Sequence, residues 1–341
     1  MTSAPAPAPL VVIDADVLGR ERTGDETYVE NLLRELARLD HGLRFAALTR
    51  RPELVPEGIE AVLVPAGSQI ARMSLAVPRA LGRLRPRLVH FQYALPLRCQ
   101  TPGIVTVHDL SFERDRRLMG HADRLVFRAV VPRSVRRAVR VITVSERTKR
   151  DLVELYRVPE EKIVVIPNGV DPVFRPGDGR RDYALLVGAV QARKDPLAAA
   201  DAAAAAGLPL VVAGPAKDPA LARELERRGA ELRGYVAKEE LAELYRGAAC
   251  LVFPSRYEGF GLPVLEAMAS GTPVAAADEP ALREVAGDAA VFASPGRLGD
   301  AIRQALAERD RLVAAGLERA RLFSWAEAAR RTAEVYREGL G

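Results

Sequence analysis

The sequence predicts an α/β protein of two parallel, doubly wound sheets joined by a linker. Three observations carry this expectation. The chain has 341 residues, more than one hydrophobic core usually serves. Short apolar runs of strand type alternate with stretches of helical apolar spacing, which implies parallel strands joined by crossover helices. The alternation halts in a turn-rich stretch over residues 167–179 and then begins again.

Residues 10–14, Leu-Val-Val-Ile-Asp, read as the first strand. Gly24 is placed in the loop after it, and residues 28–39 have helical apolar spacing. Residues 45–49 and 61–64 are short strands, and 88–91 and 104–109 are of buried parallel type. Residues 124–138 form an arginine-studded helix, and strands at 141–145 and 163–166 close the half. Beyond the linker, 183–188 and 210–214 read as strands around an alanine-rich helix at 197–206 that Gly207 ends. A helix at 221–228, an edge strand at 231–234 and a helix at 239–247 follow, and 274–277 is a late strand.

Charge is uneven along the chain. Residues 1–175 carry 28 Lys and Arg against 21 Asp and Glu, whereas residues 176–341 carry 22 against 24. Residues 70–98 hold six arginines and no acid, and 111–140 hold nine arginines and three acids. Such a face suits an anionic membrane surface, or is a solvated arginine-rich face. Residues 70–98 also mix Met73, Leu75, Val77, Leu81 and Leu84 with the arginines, a pattern compatible with an amphipathic helix. Aromatic residues are 5% of the chain and no stacking platform or known motif is present, so nucleic acid is not an expected partner. Cys99 and Cys250 sit in apolar contexts and read as reduced, buried thiols of a cytosolic protein. No apolar run is long enough to span a membrane. The first nine residues read as a Pro/Ala lead and not as a signal peptide, so the expected location is cytoplasmic, with a peripheral contact at the inner face of the membrane.

The chemistry concentrates in residues 254–268, Pro-Ser-Arg-Tyr-Glu-Gly-Phe-Gly-Leu-Pro-Val-Leu-Glu-Ala-Met. The apolar run 250–253 reads as a strand that feeds a glycine loop. Gly259 and Gly261 allow a sharp turn and close approach, and Pro263 suits the first turn of a helix that Gly271 ends. A glycine loop opening a helix offers N–H groups and a positive dipole end to phosphate. Glu258 and Glu266 would be out of place beside phosphate alone, but carboxylates accept from hydroxyls. Phosphate together with a polyol suggests a nucleotide-sugar.

This string resembles the Glu-x7-Glu signature of the retaining glycosyltransferases of family 4, which have the GT-B fold, and its mannosyltransferase-like bacterial branch in particular. The likeness is close over residues 234–295 and weaker over nearly the whole chain. It implies two Rossmann-like domains facing each other across a cleft. The acceptor domain would be residues 1–175, completed by a returning helix within 325–341. The nucleotide-sugar domain would be residues 176–324.

The resemblance further implies that Glu258 faces the donor sugar and Glu266 accepts from the ribose hydroxyls. The backbone of Gly259, Phe260, Gly261 and Leu262 would meet sugar and phosphate. Lys194, with Arg193, follows the strand that ends at Gly188 and would neutralise the leaving diphosphate. The arginine that commonly follows that glycine is replaced by Ala189, a place Arg193 could fill. His108, in Val107-His108-Asp109, would contact the donor sugar, with Asp109 either orienting its ring or capping the next segment. Gly234-Tyr235-Val236 resembles the base-binding turn. Arg22-Thr23-Gly24 resembles the first-domain glycine loop, although Asp25 and Glu26 stand where an arginine is usual.

The expected activity is metal-independent, retaining transfer of a sugar from a nucleoside-diphosphate sugar, GDP-mannose or a UDP-sugar, to a glycan or lipid-linked acceptor. That donor is a substrate, and no cofactor is expected. Asp14-Ala15-Asp16 is read as a strand-end turn and not as a metal-binding Asp-x-Asp. The rival readings are a GT-B epimerase or phosphorylase and a non-catalytic sugar-nucleotide-binding subunit. A dehydrogenase is disfavoured because no Gly-x-Gly-x-x-Gly follows the first strand. Covalent attack by Glu258 and stabilisation of an oxocarbenium-like state both stay open.

Overall fold

The computed structural model describes residues 8–20, 23–40, 42–114, 121–294 and 296–341. Seven strands form a parallel sheet: β1 (Leu10–Asp14), β2 (Arg44–Thr49), β3 (Glu60–Leu63), β4 (Leu88–Gln92), β5 (Gly103–Val107), β6 (Arg140–Thr143) and β7 (Ile163–Val165). Their order is β3-β2-β1-β4-β5-β6-β7. Six more form a second parallel sheet: β8 (Tyr183–Val187), β9 (Leu210–Ala213), β10 (Glu231–Gly234), β11 (Ala248–Phe253), β12 (Val274–Ala277) and β13 (Val291–Ala293). Here the order is β10-β9-β8-β11-β12-β13. Strand order reverses between β1 and β4 and again between β8 and β11. In open parallel sheets the crevice at such a reversal, beyond the carboxyl ends of the strands, is where ligands bind.

The first sheet is covered on both faces, which is why its central strands are mostly apolar, with His90 and Thr106 as buried polar exceptions. Val12, Val89 and Val105 point to one core, and Val11, Leu88 and Ile104 to the other, as period-two alternation requires. Against the second core lie helix Thr23–Leu36 and helix Trp325–Leu340, side by side. The latter returns from beyond the second sheet. Ser324 caps it by accepting from the Glu327 N–H at 3.0 Å, and Trp325, Ala329, Ala333 and Tyr336 form its buried face. Tyr336 Oη lies 2.7 Å from His90 Nδ1, and burial holds the pKa of His90 down at about 3. The helix is therefore pinned to β4 by a neutral pair.

Against the first core lie a helical run, Gln69–Ala71, Arg72–Ala76 and Val77–Leu84, and helix His121–Arg137. The middle segment of that run is one π-helical turn.

Several expectations need correction. Gly24 is not in a loop; it stands in the first turn of helix Thr23–Leu36, where Asp25 and Glu26 complement the dipole. That helix ends at Leu36, short of residue 39. The amphipathic helix expected from Met73, Leu75, Val77, Leu81 and Leu84 is present within the helical run 69–84, but it stops at Leu84 and β4 follows, so it does not reach residue 98. Nor is Arg72 part of a basic surface: its side chain is fully buried against Asp14 and Asp16. The sequence reading omitted β13 and, among the longer helices, Glu146–Tyr156, Pro280–Ala286, Leu298–Ala307 and Arg309–Ala320. Cys99 and Cys250 are both free and buried, as expected. Arg22, residues 1–7 of the lead and 115–120 of the basic stretch lie outside the described residues.

Candidate active site

The carboxyl ends of the two sheets face one cleft of about 510 Å³. Most of the site residues the sequence singled out lie on its walls; Gly234 does not line it, and Arg22 lies outside the described residues. Gly24 and His108 line it from the first sheet's side. Gly188, Arg193, Lys194, Tyr235, Val236, Glu258, Gly259, Phe260, Gly261, Leu262 and Glu266 line it from the second.

His108 follows the last residue of β5, next to the reversal point. Its Nε2 lies 2.8 Å from Gln92 Oε1, at the end of neighbouring β4. With the Gln92 amide oxygen turned to the ring, Nε2 is the donor, and the Gln92 amide nitrogen is buried without a partner among the described residues. Burial lowers the pKa of His108, against the pull of Asp25 and Asp109, and the ring is neutral with an unprotonated Nδ1. The edge of Tyr28 packs on it at 4.7 Å between centroids. Asp109 does not hold the ring: its Oδ1 accepts from the Ser111 N–H at 2.9 Å, capping the next segment. Gln92 is the partner that sequence reasoning missed.

On the opposite wall β8 ends at Val187, and Gly188 turns the chain with φ 129°. A 3-10 turn, Ala192–Lys194, then brings Lys194 inward. Its Nζ lies 2.6 Å from Glu258 Oε1 and 4.8 Å from the centroid of the Phe253 ring. Arg193 Nη1 donates to the Tyr257 carbonyl at 2.6 Å and stands 3.3 Å from Glu258 Oε1. Ser255 Oγ donates to the same carboxylate. Burial alone would raise the pKa of Glu258, but Lys194 and then Arg193 outweigh it and hold the group at about 2.

Glu258 sits on the loop between β11 and helix Leu262–Ala269. Gly261 opens that helix with φ 103°, a left-handed conformation in which a Cβ would be strained. Gly259 has a different reason. A Cβ there would stand 2.0 Å from the His108 carbonyl oxygen, so this glycine permits the loop to touch the first domain. Three further bonds tie the same loop across the domain boundary. Gly259 O accepts from Ser145 Oγ at 2.5 Å, Tyr257 Oη donates to Asp151 Oδ2 at 2.6 Å, and the Leu110 N–H donates to Tyr257 Oη at 3.1 Å.

Glu266, one helical turn inside, accepts from Tyr245 Oη at 2.8 Å. Burial raises its pKa to about 7, against Tyr245 and Lys238. Beside it Lys238 Nζ bridges Glu30 Oε1 at 3.1 Å and Asp171 Oδ2 at 3.0 Å, joining the helices on either side of the cleft.

Asp14 and Asp16 lie outside this cleft. Arg72 Nη2 pairs with Asp14, and Asp16 Oδ1 meets Arg72 Nε at 3.2 Å and Arg50 Nε at 2.9 Å. Arg20 also pairs with Asp16. Guanidinium groups occupy both carboxylates. Among the described residues no cluster of three or more His, Cys, Asp or Glu has metal-binding geometry.

The profile of Glycosyltransferase Family 4 matches residues 22–174, and that of glycosyl transferases group 1 matches residues 182–308. The chain belongs to the family 4 glycosyltransferases. Among curated relatives of this glycosyltransferase, O-antigen chain mannosyltransferase B of Escherichia coli is 31% identical over 229 residues, covering 58% of this chain and 60% of that protein. The alignment thus spans about three-fifths of that relative's length. D-inositol 3-phosphate glycosyltransferase of Kineococcus radiotolerans is 28% identical across 97% of this chain and 95% of its own. Among solved structures, sucrose-phosphate synthase from Thermosynechococcus elongatus superposes with a TM-score of 0.79 at 21% identity, over 97% of this chain and 98% of that one. The fold is the GT-B arrangement the sequence pointed to.

Proposed function

We propose that this family 4 glycosyltransferase moves a sugar from a nucleoside-diphosphate sugar to a glycan or lipid-linked acceptor, with retention and without a metal. The observation that carries the reading is the cluster of Lys194, Arg193 and Glu258 on one wall of the cleft, opposite His108.

The chemistry follows from where charge develops. A departing nucleoside diphosphate gains negative charge, and preorganised cations and dipoles stabilise it most where water is scarce. Lys194, Arg193 and the N-terminus of helix Leu262–Ala269 supply that positive field. The sugar carbon gains positive charge as the bond breaks, and Glu258, ionised at every working pH, faces it. Neutral His108 accepts from a sugar hydroxyl through Nδ1. Glu266 takes the ribose hydroxyls, and the Tyr235-Val236 turn takes the base. In metal-dependent transferases an Asp-x-Asp holds the ion; in this chain the Asp14 and Asp16 carboxylates are taken up by arginines, which favours the metal-independent reading.

The donor is GDP-mannose or a UDP-sugar. The Escherichia coli relative is named a mannosyltransferase, which favours mannose. A lipid-linked acceptor sits at an anionic leaflet, and the basic first domain suits a peripheral contact there. No helix among the described residues is long and apolar enough to cross a membrane.

A thermal-shift panel of UDP-, GDP-, ADP- and TDP-sugars tests the donor assignment, since a ligand that binds only the native state raises the melting temperature. One nucleotide series is expected to raise it, and Lys194→Ala to abolish the rise. A panel with no shift would contradict the reading.

A further inference from the structure

A second cavity, also of about 510 Å³, lies on the outer side of the first domain, apart from the cleft. Helix His121–Arg137 forms one wall. Arg128, Ala129, Pro132, Arg133 and Arg136 face the cavity, spaced as one stripe of a helix. Leu155 and Tyr156, at the end of helix Glu146–Tyr156, form another wall.

The charge in this cavity is out of balance. Its one carboxylate, Glu113, is already taken: Arg128 Nε lies 3.0 Å from Oε2 and Tyr156 Oη donates to Oε1 at 2.9 Å. Arg133 donates to the Ala129 carbonyl of its own helix at 2.7 Å, and Arg136 to the Tyr156 carbonyl at 3.4 Å. Among the described residues neither meets a carboxylate. Lys162, outside the cavity's lining, donates to the Arg136 carbonyl at 2.6 Å. Two guanidinium groups without an acid, each with unspent N–H donors, suit the oxygens of a phosphate.

The same stripe continues into exposed apolar surface. Leu125, one turn before Arg128, is 72% exposed, and Val126 is 49% exposed. The helical run Gln69–Leu84 packs on the same apolar core and leaves Ile70 and Leu75 exposed at 73% and 52%. Its Arg79 and Arg83 are exposed too, with no acid between residues 70 and 98. Cationic phosphate-binding groups bordered by exposed Leu, Val and Ile match an anionic amphiphile in both charge and polarity.

We propose that this cavity holds the phosphate headgroup of an anionic lipid, with Leu125 and Val126 entering the acyl boundary beside it. The proposal rests on the peripheral membrane contact read above and gives that contact a specific site. It is separate from the cleft, so the enzyme would carry two phosphate-binding places, one for the donor and one for the membrane.

Co-sedimentation with vesicles of phosphatidylglycerol in phosphatidylcholine, against phosphatidylcholine alone, tests this at low salt. Wild type is expected to bind the anionic vesicles at least about tenfold better, with binding weakened by salt. Arg133→Glu with Arg136→Glu, both exposed and melting with wild type, is expected to lose about tenfold of that binding. Undiminished binding by the double variant would overturn the headgroup site and leave the membrane contact standing. No binding of wild type to either vesicle would overturn both. A melting-temperature rise with inorganic phosphate that depends on Arg133 and Arg136, without vesicle binding, would mark a soluble phosphate site and overturn the lipid assignment.

Discussion

Lys194 and Glu258 form a buried ion pair on the wall of the cleft, with Nζ 2.6 Å from Oε1. They stand 64 positions apart in the chain, one on the turn after β8 and the other on the loop after β11. Against burial, Lys194 and Arg193 hold Glu258 ionised, whereas burial lowers the pKa of Lys194 against the pull of Glu258.

The pair has a pH signature. Glu258 titrates at about 2 in the folded protein, below its ordinary 4.5. A lowered carboxyl pKa stabilises the fold above about pH 4.5, and that contribution is lost as pH falls toward 2. Lys194→Ala leaves a buried carboxylate whose main counter-charge is gone. It is expected to cost about 3 kcal/mol at pH 7, with the gap to wild type closing as pH drops below about 4.5. Urea unfolding at several pH values measures this, and a gap that widens on acidification would contradict it.

Glu266 has the opposite shift. Its pKa of about 7 lies above the ordinary 4.5, so the neutral form stabilises the fold, fully below about pH 4.5, and this is lost as pH rises through 7. In the proposed ribose contact the ionised form of Glu266 is the stronger acceptor. Nucleotide affinity is therefore expected to rise as pH increases from 6 to 8. Glu266→Gln should flatten that dependence, and Tyr245→Phe, by removing a donor that favours ionisation, should move its midpoint to higher pH. Calorimetric titration reads all three.

Gly259→Ala should act through the domain boundary. The new Cβ would stand 2.0 Å from the His108 carbonyl, a backbone atom that yields only if the domains shift. Melting temperature and turnover are both expected to fall, whereas an alanine at exposed Gly229, with open space around its Cβ, should affect only local backbone strain. Native-like turnover of the Gly259 variant would show that the loop does not depend on this contact.

Gln92→Leu removes the acceptor that fixes the proton on Nε2 of His108. Turnover is expected to drop about tenfold, as outer partners of a functional histidine do when lost. Nucleotide affinity should hold, because the residues proposed to contact base, ribose and diphosphate line the cleft from the second domain. Equal losses in turnover and nucleotide binding would point to a general structural role.

What the sequence made legible was local. The apolar strand runs, the glycine loop feeding Pro263 and the alternating helix pattern each sit within a few residues and can be read directly. The returning helix was expected and lies at Trp325–Leu340. Partnerships across the chain were not legible. Gln92 and His108 are 16 positions apart, Tyr245 and Glu266 are 21 apart, and Arg72 is 58 from Asp14. Arg72 therefore read as surface charge in a stretch without acids, because its acids lie on another strand. Gly24 read as a loop residue because glycine is a poor helix former, yet the acids after it make a good first helical turn.

The most direct test of the central claim is release of nucleoside diphosphate from GDP-mannose and a set of UDP-sugars, with the sugar passing to a lipid-linked saccharide acceptor or to water, in excess chelator, by wild type and Glu258→Gln. Wild type is expected to release nucleoside diphosphate from one of these donors despite the chelator, and Glu258→Gln to do so about 10²-fold more slowly or worse. Release that requires added Mg²⁺ or Mn²⁺, or that proceeds equally fast without the Glu258 charge, would contradict it.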